Sequence, residues 1–118
     1  MVEAQHATRA QTTSVVLALP DEIDITNARR LSGQLGSALS SADRVIADMS
    51  ATTFCDSSGV RILILAHDQA AATGIELRLV VPCASVLRTL ALIGADRLLP
   101  IYPSLEDALG SGPARERE

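Results

Sequence analysis

Arg44-Val45-Ile46-Ala47-Asp48-Met49 and, five residues on, Phe54-Cys55-Asp56-Ser57-Ser58-Gly59-Val60 decide how this chain folds. The first stretch is short and mostly apolar, as a central strand should be. The second hands over to an apolar helix beginning near Ser57. Val60, Leu63, Ile64, His67 and Ala71 mark one face of that helix, and Gly74 ends it. Ile62, Leu65 and Ala66 make its early part apolar around most of the circumference, which implies burial on two sides or an exposed apolar patch for a partner. Two adjacent hydroxyls at a helix start, flanked by an acid and a glycine, form a place where a phosphate is accepted and held. The helix dipole and the free N–H groups there favour negative charge. A plain Asp or Ser cap with a glycine nearby is the simpler reading of the same four residues.

Outward from this turn, strands and helices alternate. A polar stretch to about Ala10 reads as a weak edge strand, and Gln11-Thr12-Thr13 as a turn. Ser14-Val15-Val16-Leu17-Ala18-Leu19 is a β-forming run stopped by Pro20. These two strands suggest an antiparallel hairpin. Asp21 to Thr26 is a polar connection in which Asp24 or Thr26 caps the next helix. That helix carries Ala28, Leu31, Leu35, Ala38, Leu39 and Ala42 at helical spacing, with Gly33 and Gly36 as small residues for close packing on a sheet. Glu76–Val81 is a strand stopped by Pro82, Ala84–Ile93 a helix closed by Gly94, and Leu98–Tyr102 an edge strand. Ser104 caps a last helix to Leu109, with Asp107 at its third position, and residues 111–118 form a flexible tail. Such alternation implies parallel pairs joined by right-handed crossovers. The expected architecture is a single α/β domain over residues 1–110. It has a small mixed sheet of four to five strands, an N-terminal hairpin, and about four helices packed mainly on one side.

Composition narrows the function. The 118 residues suit one domain, and the 47% hydrophobic share fills a core built of Leu, Ile, Val and Ala, because there is one Phe, one Tyr and no Trp. The net charge of −4 leaves no basic footprint for a nucleic-acid backbone. No apolar run approaches the roughly 20 residues that span a bilayer. Met1–His6 lacks the basic start and apolar stretch of a signal peptide, so a cytoplasmic location with reduced thiols is expected. No metal-ligand pattern is present and no cofactor is expected. The chain has no lysine and therefore no lysine-bearing phosphate loop. A hydrolase built on Ser57 needs a base within hydrogen-bond reach. His67 would lie about 15 Å along the helix from it, so an enzyme is not expected. Cys55 and Cys83 fall near the ends of strands expected to be neighbours. They form a regulatory redox pair if their Cα atoms come within about 7 Å, and otherwise are two separate thiols.

Three segments carry a resemblance to a known family: Asp21-Glu22-Ile23-Asp24-Ile25-Thr26-Asn27-Ala28, the strand and Asp56-Ser57-Ser58-Gly59 turn, and Val86-Leu87-Arg88-Thr89-Leu90 with Gly94. Together they resemble the STAS-domain anti-sigma factor antagonists, from about Ser14 to Leu109. Asp21 stands where that family usually has Gly. The resemblance implies that Ser57 is the phosphoacceptor, with Ser58 as fallback, and that Asp56 helps place it. It implies a partner that is both an anti-sigma factor and a serine kinase, and a serine phosphatase that reverses the modification. Asp21, Glu22, Asp24, Asp56, Ser57, Ser58 and Gly59 are the candidate partner-binding residues, Gly59 more by packing the turn than by contact. The free protein is expected to be a monomer or weak dimer. A phosphate on Ser57 adds roughly −1.5 to −2 charges at an interface and is tolerated by the helix N–H groups. The alternatives are a STAS scaffold or accessory protein of a stress-signalling or transport complex without a phospho-switch, and a small-ligand sensor.

Overall fold

The computed structural model describes residues 13–110. In chain order the elements are β1 (Ser14–Ala18), β2 (Glu22–Ile23), α1 (Ala28–Leu39), β3 (Arg44–Asp48), β4 (Phe54–Cys55), α2 (Ser57–Thr73), β5 (Glu76–Val80), α3 (Ala84–Ile93), a 3-10 turn (Ala95–Arg97), β6 (Ile101–Tyr102) and α4 (Leu105–Leu109). Four strands make one sheet in the order β1-β3-β5-β6, and β2 pairs with β4 in a second. Every pairing among the described residues is parallel. β1 runs beside β3 with Val15 opposite Val45. The first strand and turn of the expected hairpin, and the expected tail 111–118, lie outside the described residues.

The two faces of the sheet follow the two-residue period of its strands. Val45 and Ala47 of β3 and Leu77 and Leu79 of β5 point into the main core, where α1 supplies Leu31, Leu35 and Leu39 and α2 supplies Val60, Leu63, Ala66 and Ala70. Val86 and Leu90 of α3 join the same core. Ile46 and Val80 point the other way and meet Tyr102, Ala108 and Leu105 beneath the short helix α4. Gly74 and Gly94 stop α2 and α3 at φ 76° and 89°, left-handed values that favour glycine.

Two arginines of the sheet, Arg44 and Arg78, are buried. Arg78 donates to the carbonyls of Ala108 (2.8 Å) and Gly110 (2.6 Å) and to Glu76 Oε2 (2.8 Å). Arg44 donates to Glu76 Oε1 (3.1 Å) and to the Leu109 carbonyl (3.4 Å). Thus the sheet satisfies the last carbonyls of α4, which a five-residue helix cannot pair internally. Arg78 also lies over the Tyr102 ring, 5.0 Å from its centroid.

Four local expectations are corrected. Asp21–Thr26 is not merely a connection, since Glu22–Ile23 forms β2. The cap of α1 is Asn27, without a side-chain bond to the helix; Asp24 instead accepts from the backbone and hydroxyl of Thr26. Gly33 and Gly36 do not serve close packing, because a Cβ on either would meet nothing within 4 Å. Leu98 to Pro100 stay outside the last strand, since the chain is still leaving the 3-10 turn, where Leu99 N–H bonds to the Ala95 carbonyl.

Candidate functional site

The site is built where β4 ends and α2 begins. Asp56 is extended at φ −93° and ψ −172°, the backbone an N-cap needs, and its Oδ1 accepts from the N–H groups of Ser58 (2.9 Å) and Gly59 (3.2 Å). The Ser58 hydroxyl donates to the same oxygen at 2.6 Å. These bonds, the Ser58 hydroxyl foremost, hold the Asp56 carboxyl below its ordinary value, against the opposing effect of burial. The cap therefore already occupies the helix N–H groups at N2 and N3. This revises the expectation that those groups would receive a phosphate on Ser57.

Ser57 is the first residue of α2 and is exposed. Among the described residues its hydroxyl has no hydrogen-bond partner. It stands at one end of an open groove of about 340 Å³ lined by Ser57, Val60, Arg61, Ile64 and Leu65 of α2 and Ile93 of α3. Leu65 and Ile93 are about half exposed, at 50% and 48%. The apolar circumference of α2 is thus divided between a buried face and this groove. Sequence reasoning named Leu65 within an apolar circumference that could leave an exposed patch, but did not single out Arg61 or Ile93 for the site. The signal available was spacing, because Val60, Arg61 and Ile64 lie three, four and seven residues from Ser57.

Gly59 is buried, and a Cβ built there would fall 2.6 Å from Cys55 Sγ and 2.6 Å from Ile23 Cγ2. It holds the turn tight against β2 and β4 and presents no surface of its own. Asp56 N–H bonds to the Ile23 carbonyl (3.1 Å), Thr53 N–H to the Asp21 carbonyl (2.8 Å), and the buried Thr52 hydroxyl to the Pro20 carbonyl (2.7 Å). These bonds bring the acidic segment next to the serine turn. Asp21 and Glu22 are exposed and Asp24 is half-buried. Phe54 and Ile25, exposed at 50% and 78%, stand in the same two segments.

Both cysteines are free thiols. Burial, with the Asp56 charge beside it, pushes the Cys55 thiol up to about 11. Cys83, at the N-cap of α3, is held below its ordinary value by a hydrogen bond with Ser85 Oγ (3.3 Å) and by the N–H groups of Val86 and Ser85. Ser85 Oγ also donates to the Thr53 carbonyl (3.3 Å), so α3 touches the segment that leads into the site. His67 lies on α2 with Nδ1 3.9 Å from Asp68. Among the described residues no group of three or more His, Cys, Asp or Glu is placed to hold a metal ion, and no helix is long and apolar enough to cross a membrane.

A parallel sheet with its helices mainly on one face thus presents a serine at a helix start beside an apolar groove. The STAS domain family model matches residues 2–108, and the chain belongs to that family. Among solved structures it is similar to an anti-sigma factor antagonist from Mycobacterium paratuberculosis, at 28% identity and TM-score 0.70, covering 84% of this chain and 85% of that one. It shares the fold of the anti-sigma factor antagonist SpoIIAA in its unphosphorylated form, at 20% identity and TM-score 0.69, over 84% of this chain and 87% of that one. The phosphorylated form of SpoIIAA, from Bacillus, matches at 19% identity and TM-score 0.63, over 84% and 90%. No curated protein matches the chain.

Proposed function

We propose that this chain is a phospho-switched antagonist of an anti-sigma factor. Unphosphorylated, it binds an anti-sigma factor that is also a serine kinase, and the sigma factor is released. The kinase then transfers the γ-phosphoryl group of ATP to Ser57 Oγ: the new O–P bond replaces the bond to ADP, and the hydroxyl proton goes to a base on the kinase. Phosphorylation ends the binding, and a serine phosphatase restores it by hydrolysis to Ser57 and inorganic phosphate.

One observation carries this reading: Ser57 is exposed and uncommitted at the start of α2, while Ser58 is tied to Asp56. A partner seated on the groove would meet new bulk and roughly −1.5 to −2 charges at its edge. A loss of even a few kcal/mol lowers affinity by a hundredfold or more. The nearby exposed carboxylates of Asp21 and Glu22 suit a basic partner surface.

The test is incubation with the matching kinase and ATP, read by intact mass. Wild type and Ser58→Ala take up one phosphate and Ser57→Ala takes up none. Equal uptake by Ser57→Ala defeats the assignment.

A further inference from the structure

We infer that Arg61 is the intramolecular receiver of the phosphate on Ser57, and that the pair they form closes the mouth of the groove between α2 and α3. The inference rests on the reading of Ser57 as phosphoacceptor and says what holds the modified state. It begins with a problem of countercharge. The N–H groups of Ser58 and Gly59, which a phosphate at a helix start would ordinarily use, already bond to Asp56. A phosphate on Ser57 therefore arrives beside a carboxylate and must find its cation elsewhere.

Arg61 supplies it. It lies four residues on, one helical turn along the same face, where side chains meet and where the acid-before-base order is the favourable one. It lines the same groove as Ser57 and is the one charged residue of the six that do. Among the described residues no carboxylate pairs with it; the ion pairs there belong to Arg44, Arg78 and His67. Its planar fork matches two phosphate oxygens. The other four residues that line the groove, Val60, Ile64, Leu65 and Ile93, are all apolar. A phosphate–guanidinium pair running along the α2 side of that groove covers the apolar surface beside it, the surface a partner would use. The switch then takes the groove away as well as adding charge.

The experiment uses the full chain with phosphoserine incorporated at position 57 during translation, so it requires no kinase. Phosphorus NMR follows the second ionisation of the phosphate, ordinarily near 6. In Arg61→Gln this ionisation should move up by about half a unit relative to the otherwise wild-type phosphoprotein, and in Arg61→Lys by less. Methyl resonances of Ile64, Leu65 and Ile93 should shift on phosphorylation in the wild type and much less in Arg61→Gln. Identical phosphate titrations in wild type and Arg61→Gln overturn the pairing, and equal methyl shifts in both overturn the closure. Phosphosite mapping of the protein from its own cells decides separately whether Ser57 is modified there, so the two readings fail by different results.

Discussion

Ser58 donates its hydroxyl to the Asp56 carboxylate at 2.6 Å, and this divides two neighbouring serines into a committed one and an open one. The division is a by-product of helix capping. The residue at N2 faces the cap and the residue at N1 turns away from it. The acid before the pair thus decides which of the two hydroxyls is left open.

Asp56 should matter to stability as a cap. Asp56→Ala is expected to cost about 1 kcal/mol, and Asp56→Asn less, because asparagine also caps well. The carboxyl is held below its ordinary 3.8 in the folded chain. Its charge therefore stabilises fully above that value, and the contribution is lost as pH falls through the folded value. Urea denaturation at neutral and acid pH should show a difference between wild type and Asp56→Asn that shrinks in acid.

Glycines in this chain divide by what a methyl group would strike. Gly59→Ala places a carbon 2.6 Å from Cys55 Sγ and Ile23 Cγ2 and should destabilise by about 1–3 kcal/mol. Gly36→Ala meets open space within a helix and should stabilise by about 0.5–1 kcal/mol. Thermal melts of the two variants should move in opposite directions.

The thiols should differ in reactivity. Cys83 has a larger thiolate fraction and partial access, whereas Cys55 is buried with its ionisation pushed up to about 11. Brief iodoacetamide treatment near pH 8, followed by peptide mapping, should label Cys83 first and Cys55 only after unfolding. Equal labelling of both in the folded protein would contradict this.

Glu76 should supply an acid-sensitive part of stability. Burial alone would raise its carboxyl, but the guanidinium groups of Arg78 and Arg44 bring it below the ordinary 4.5. The stabilisation is complete above that value and declines as pH falls through the folded value. Glu76→Gln should cost about 1–2 kcal/mol at neutral pH, since it weakens charge-assisted bonds to a buried arginine. Its stability curve should be flatter toward acid than that of the wild type.

How much of this was legible depends on how far each feature reaches in space. The helices Ala84–Ile93 and Ser57–Thr73 follow from local signals: a proline or acid before, a glycine after, and apolar spacing between. The two-residue strands Glu22–Ile23 and Phe54–Cys55 do not, because two residues carry no period and each exists only through the other. The burial of Arg44 and Arg78 is not legible locally either, since the carbonyls they satisfy lie 65 and 30 residues later. At the site, Asp56 was legible as a cap and Ser57 as the first residue of the helix it caps. The groove was not, because Ile93 reaches it from another helix.

The pairing of Glu22 with Phe54 and of Ile23 with Cys55 also constrains how this protein can vary. Ile23 is wholly enclosed and braces Gly59, while its neighbour Glu22 faces outward. Adding a single residue after Pro20 would swap those two orientations, driving an acid inward and prising up the serine turn. Loop length here is therefore tightly prescribed, and this segment should tolerate changes of letter far better than changes of count.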